Sequence, residues 1–231
     1  MKKSLLVLAV VAAFAPVLAQ AEAGDIVVRL RATHVSPDVS SKLGPQSTAN
    51  GLTATTYYGD ANAKLEVGNN TIPELDISYY FTKNIAAELI LALGTRHDVN
   101  ISGPTAILSK SLGSVNLLPP TLTAQWHFMP DQTFDPYVGA GLAYVRAMDN
   151  GLTTTVLNGG AVLPIRIDRN NFGAVLQAGF DVNLKDKWLV NFDVKKVFVG
   201  TDVAINTGTW TKIDQLDIDP WVVSVGFGKK F

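Results

Sequence analysis

Three histidines, His34, His97 and His127, are the residues of this chain best suited to acid–base or metal chemistry. Nucleophilic catalysis needs a hydroxyl or thiol with a base held in hydrogen-bond reach. His97 comes nearest, with Asp98 beside it and Ser102 five residues on. That constellation is weak, because nothing in the spacing holds base, acid and hydroxyl to one point. His34 and His97 are expected at a solvated rim. No two histidines have ligand spacing on one strand face, so no metal site is expected, and the sequence carries no zinc cluster, nucleotide loop or catalytic triad. Cysteine is absent, which removes thiol chemistry and disulfides. The chain reads as a protein that is not an enzyme and has no cofactor.

A second set of functional side chains recurs with a period of two. Arg29 and Arg31, Glu74 and Asp76, Glu88, Asp181, and Asp193 and Lys195 each alternate with large apolar residues. A strand points successive side chains to opposite faces. These charges therefore share the less greasy face of their strands. Charges on an enclosed face must pair, since an unpaired one costs several kcal/mol. The spacing predicts an ion-pair network filling a narrow interior, or a polar plug that sets permeability. The same parity carries apolar residues: Ile90, Ala92, Val145, Val175, Leu189, Val197 and Val199. They predict either an apolar path inside the outer half of the enclosed interior or plain packing.

Eight segments carry this alternation: residues 26–35, 73–81, 85–97, 118–128, 135–148, 171–183, 188–199 and 219–231. The connections between them run 37, 3, 20, 6, 22, 4 and 19 residues. Long and short take turns, as in an outer-membrane barrel with long outer loops and short periplasmic turns. The predicted fold is all-β, an eight-stranded antiparallel transmembrane β-barrel. No apolar run after the first residues is long enough for a spanning helix, and the bilayer core admits only helices and closed barrels.

The beginning of the chain agrees with export. MKKSLLVLAVVAAFAPVLAQA has a basic start, an apolar run and a small-x-small end, the marks of a secretory signal peptide. Cleavage is expected after Ala21, with Ala23 as the other site, leaving residues 22–231 as the barrel. Loss of Lys2 and Lys3 leaves the 20 acidic residues in slight excess, so nucleic acid is not an expected partner.

Phe81, Phe128, Trp188 and Phe231 fall at the short-turn ends of their segments and are expected to form an interfacial belt. Phe231, ending an apolar row, looks like the signal read by the outer-membrane insertion machinery. Pro119 and Pro120 cannot donate to a ladder; a break in the wall or a bulge is expected there. Residues 161–167, AVLPIRI, are apolar for a loop and read as a strand extension or a cover for the mouth. Residues 36–72, rich in Thr, Ala, Asn and Gly, have the composition of a mobile loop.

Several stretches, in order along the chain, resemble the OmpW family of outer-membrane proteins, which includes AlkL-like members. They are EAGDIVVRLRATHVSP (22–37), NIAAELILA (84–92), LPPTLTAQWHF (118–128), PYVGAGLAY (136–144), WLVNFDV (188–194) and LDIDPWV (216–222). The resemblance implies a barrel with a hydrophobic lumen that admits small apolar molecules. The expected function is passive uptake of such molecules in the outer membrane of a Gram-negative bacterium, with lateral release into lipid as one exit. The other reading is a closed structural or adhesive barrel whose loops bind other surfaces, phage or bacteriocins. Outer-membrane lipid and lipopolysaccharide are the expected surroundings. A barrel closes its own edges, so a monomer suffices.

Overall fold

The computed structural model describes residues 22–92, 94–103, 110–149, 151–156 and 160–231. The leader assigned to residues 1–21 lies outside the described residues. In chain order the elements are β1 (Ile26–Ser36), α1 (Leu43–Ala49), α2 (Ala54–Tyr58), β2 (Lys64–Val67), β3 (Asn70–Tyr80), β4 (Ile85–Ala92), β5 (Thr95–Ser102) and β6 (Lys110–Leu118). They continue with β7 (Thr121–His127), β8 (Phe134–Ala147), β9 (Leu152–Thr155), β10 (Val162–Ile167), β11 (Asn170–Asn183), β12 (Trp188–Phe198), β13 (Gly200–Asn206), β14 (Trp210–Asp217) and β15 (Trp221–Lys230).

Eight of these strands close into the expected antiparallel barrel. The circuit runs β1, β3, β4, β7, β8, β11, β12, β15 and back to β1. Alternation decides which face each side chain takes. In β7, Thr121, Thr123, Gln125 and His127 are buried while Leu122 and Trp126 are exposed. Leu142, Phe172, Leu176 and Val225 join them on the outside. So much exposed apolar surface is unstable in water and suits a bilayer. Phe81, Phe128, Trp188 and Phe231 stand exposed at the short-turn end.

Residues 36–72 are built, not loose, and depart from the mobile loop that composition suggested. This segment forms α1, α2 and β2. Ser41 Oγ donates to the Asp214 carboxylate, as does the Lys42 amide at 3.1 Å, fixing the segment to β14. Leu43, Ala54, Tyr58 and Leu65 are buried with Val99, Leu112, Ile165, Val203 and Leu216 in one apolar core. The principal hydrophobic core thus lies at the long-loop end, above the barrel strands. Residues 161–167 contribute β10, which pairs with β9 and β13 in a four-stranded sheet completed by β14.

The segment expected as one strand over 85–97 is two. β4 stops at Ala92, and Gly94 takes a left-handed φ of 72°, a conformation that favours glycine. β5 then pairs with β2 and β6. At Pro119–Pro120 the ladder is interrupted on one side only: pairing stops at Ile90–Thr121 and resumes at Thr95–Leu117 with a shift of one residue, as across a bulge. β6 and β7 follow one another along β8 with no register shift, Leu118 opposite Arg146 and Thr121 opposite Ala143. The Tyr144 amide donates to the Pro120 carbonyl at 2.9 Å. On the other side, pairing with β4 ends at Ile90–Thr121. The proline nitrogens have no hydrogen to offer there.

Candidate functional site: an apolar chamber over an ion-paired plug

The inward parity of the barrel strands builds two tiers. Arg29 and Arg31 project from β1 into the barrel and are sealed from solvent. Arg29 lies 2.6 Å from Asp181 and 3.3 Å from Glu88, and donates to Ser78 Oγ at 2.6 Å. Arg31 lies 2.6 Å from Glu88, 2.9 Å from Asp76, 3.5 Å from Glu74 and 3.7 Å from Asp193. Lys195 joins Asp193 at 2.7 Å and Glu74 at 3.3 Å. All eight charges singled out in the sequence therefore meet in one network.

Neutral donors complete it. The Gln125 and Gln177 amides donate to Glu88 at 2.9 and 2.8 Å. Tyr137 and Gln177 donate to Asp193 at 2.8 and 2.7 Å, and Asn191 to Asp181 at 2.7 Å. Below them His127 Nδ1 sits 2.7 Å from Asp135, with Tyr80 Oη 3.1 Å from Nε2. Their strand parity marks these polar residues as inward. What sequence could not give was which distant strands they would bridge.

His127, Asp135 and Asp181 place donor atoms within 4.8 Å of one another, the only such group of three among the described residues. Arg29 already balances Asp181 there, and the His127 nitrogens already face Asp135 and Tyr80. His34 is exposed, its Nδ1 2.9 Å from Thr71 Oγ1. His97, expected at a solvated rim, is instead buried, with Nδ1 2.7 Å from the Gly68 carbonyl. The hydrophobic core of the loops encloses it. The strand pleat puts Asp98 and Ser102 on the opposite face of β5, so the His97–Asp98–Ser102 constellation does not assemble.

Above the network lies a cavity of about 140 Å³. Ile90, Ala92, Val145, Val197 and Val199 line it, with Pro119 beside them. Leu65, Val67, Val99, Leu112, Val115, Ile165, Val203 and Leu216 extend its wall into the loops. Glu74 and Lys195 form its charged floor. Two residues expected on this path lie elsewhere. Leu189 packs with Val27, Tyr80 and Ala86 in a separate small cluster. Val175 is buried in the barrel but does not reach the cavity wall. Parity separates inside from outside but carries no height along the axis, so it does not tell the chamber wall from the interior below it.

Residues 22–231 match the family model described as the OmpW family. The chain is 40% identical over 174 residues to the uncharacterized outer-membrane protein y4mB of Sinorhizobium fredii, covering 75% of this chain and 71% of that protein. It is 34% identical to outer membrane protein W of Vibrio cholerae over 236 residues, spanning 100% of both. The crystal structure of the outer membrane protein OprG from Pseudomonas aeruginosa superposes with a TM-score of 0.76 at 28% identity, covering 92% of this chain and 98% of that one.

Proposed function

The chain belongs to the OmpW family of outer-membrane proteins, and from that premise we propose that it is a passive channel for small hydrophobic molecules. The observation that supports this most is the apolar chamber standing directly on the ion-paired plug. A hydrophobic solute arriving from outside finds matching wall: Ile90, Val145, Val197 and the loop residues above them. Each square ångström of apolar surface it buries contributes roughly 25 cal/mol. Passage straight down would part Arg31, Glu74, Lys195 and Asp193, and breaking such a buried pair costs about 3–5 kcal/mol. The plug thus turns the solute aside.

The exit this reading favours is lateral. Pro119 lines the chamber at the place where β4 and the prolines share no ladder bonds. A solute leaving there enters lipid acyl chains without crossing the charged floor. The chamber works by partition, with no chemical step. The surroundings of the barrel are outer-membrane lipid and lipopolysaccharide.

The test is whole-cell uptake with and without the protein, comparing a small hydrophobic compound with a small sugar. Faster uptake of the hydrophobic compound alone is expected. No difference for either would leave the closed, loop-binding barrel as the better account. One feature favours that second reading: the β13–β14 hairpin presents an exposed Trp210, with Arg166 stacked 4.3 Å from its ring centroid.

A further inference from the structure

The polar side chains of the chamber wall spend their donors on the protein itself. Thr95 Oγ1 donates to the Leu117 carbonyl, and Thr121 Oγ1 to the Pro119 carbonyl at 3.1 Å. Asn171 turns its amide nitrogen to the Asp168 carbonyl at 3.1 Å. A carbonyl only accepts, so the direction of these three bonds is fixed. Thr33 Oγ1 donates to Ser224 Oγ at 2.9 Å, and Ser224 passes its own hydrogen to Glu74 at 3.4 Å. The Thr201 oxygen is sealed by packing. Lys195, the cation of the floor, is held by Asp193 at 2.7 Å and Glu74 at 3.3 Å.

His97 follows the same pattern and leaves an acceptor open. Its Nδ1 is 2.7 Å from the Gly68 carbonyl, so Nδ1 carries the hydrogen. In the neutral ring Nε2 is then a bare lone pair. His97 is 4% exposed and shares one face of β5 with Thr95 and Val99, both on the chamber wall. Nε2 has no hydrogen-bond partner among the described residues. Unlike the Thr201 oxygen, it is not sealed by the packing around it.

Buried polar atoms in native proteins are nearly all bonded, so an open one on a cavity wall points to an occupant. Water is a poor candidate, because a buried water needs two to four polar contacts. Val115 stands opposite His97 on β6, and Val99 lies two residues on. The half-buried Asn171, with its nitrogen on Asp168, adds a second acceptor in its oxygen.

Resting on the channel reading above, we propose that His97 Nε2 is the acceptor that sorts the chamber's cargo, favouring neutral apolar molecules that donate one hydrogen bond. Aliphatic alcohols and phenols are that class. Their hydroxyl reaches the lone pair of His97 while the rest of the molecule lies against Val67, Val99 and Val115. A ketone or ester of the same size only accepts. It meets lone pairs where it needs hydrogens, and gives up its water without replacement. A charged solute finds no partner on the apolar wall.

The test begins with the purified wild-type barrel in lipid nanodiscs, its histidines isotope-labelled, at mildly alkaline pH. A lone-pair imidazole nitrogen moves upfield in the NMR spectrum when it accepts a hydrogen bond. Saturating 1-octanol should move Nε2 of His97, assigned through the β5 backbone, and leave His34 and His127 in place. 2-Octanone should move none of the three. No shift with octanol, or an equal shift with octanone, overturns the assignment. Uptake by cells carrying the wild type, His97→Phe or no barrel gives the second arm. Loss of one neutral hydrogen bond should lower protein-dependent octanol uptake about two- to tenfold in His97→Phe, with n-octane and 2-octanone unchanged. Heat-dependent gel mobility follows folding of the variant, and the wild-type spectrum decides the matter if it does not fold. A fall shared equally by octanol and octane, or no fall for octanol, overturns the role of His97 while the channel stands. No protein-dependent uptake of any of the three solutes by the wild type overturns the channel reading and the role of His97 with it.

Discussion

Arg29 and Asp181 reach toward each other from β1 and β11, strands separated in the barrel by β12 and β15, and meet at 2.6 Å with both side chains sealed from solvent. The pair works as a strut across the lumen. Removing one partner leaves a buried charge that cannot find water. Arg29→Leu is therefore expected to destabilise the barrel by about 3–5 kcal/mol. Replacing both residues by leucine should recover much of that loss, because no charge is then stranded. Urea unfolding in lipid vesicles, followed by tryptophan fluorescence, checks both variants. A double variant no more stable than Arg29→Leu would sink the strut account.

Ile90 tests the path itself. It lines the chamber wall just above the seam at Thr121 and is 3% exposed. An aspartate there sets an unpaired carboxylate across an apolar route and raises the barrier by several kcal/mol. Uptake of hydrophobic solutes should fall at least about tenfold, while the barrel still inserts. Unchanged uptake in a correctly folded Ile90→Asp variant would count against the path.

The sequence made the barrel and its inner charges legible for one physical reason: a period of two sorts lipid-facing from lumen-facing side chains. Parity alone places Arg29, Glu88 and Asp193 inward, and they meet in one network. The same rule could not place Leu189 and Val175, because it says nothing of depth. Nor could it foresee the chamber's upper wall. Leu65, Val99 and Val203 belong to the connections between the alternating segments, where the period of two carries no information, and Leu65 to the one whose composition reads as a mobile loop. Their burial comes from tertiary packing of α1, α2 and the outer hairpins, including the Ser41–Asp214 contact across the chain. His97 escaped for the same cause, since only the assembled loops enclose it.

Gly179 gives a test of how tightly the plug is packed. A β-carbon at this position would stand 2.5 Å from Tyr137 Oη and 2.5 Å from the Phe192 carbonyl. Tyr137 would have to move, loosening its 2.8 Å hydrogen bond to Asp193. Gly179→Ala should cost about 1–3 kcal/mol. Adding Tyr137→Leu, which removes both the crowded oxygen and the ring carbon 2.6 Å from the new β-carbon, should return part of it. The two unfolding midpoints compared under one condition decide the matter; full additivity of the losses would show that the clash lies elsewhere.

Tyr58 reports on the outer cap. Burial pushes its phenol up to about 12, against a hydrogen bond with Ser47 that acts the other way. Raised in the folded state, this group stabilises the cap fully below its unfolded value near 10. That stability is lost as pH climbs from there through about 12. Absorbance near 295 nm, wild type minus Tyr58→Phe, should show one tyrosine titrating close to 12. A midpoint near 10 would mean that Tyr58 is open to water and that the cap is not packed as described.

Phe231 separates assembly from stability. Its amide donates to the Ile26 carbonyl at 2.8 Å, and its carbonyl accepts from the Ile26 amide at 3.3 Å, so the last residue closes the β1–β15 seam. Its ring is 63% exposed and continues the outward row of Val223, Val225 and Phe227. Deleting it removes two backbone hydrogen bonds at the edge of the barrel and one interfacial ring. Net hydrogen bonds contribute roughly 0.5–1.5 kcal/mol each, so the finished barrel should remain folded. If the ring is also read by the insertion machinery, the fraction of chain assembled in the outer membrane should drop severalfold. Phe231→Tyr, which keeps an aromatic end, should assemble normally. Assembled fraction in cells and unfolding of the purified barrel, measured side by side, distinguish the two roles. A yield that falls only in step with stability would leave Phe231 as an interfacial anchor and nothing more.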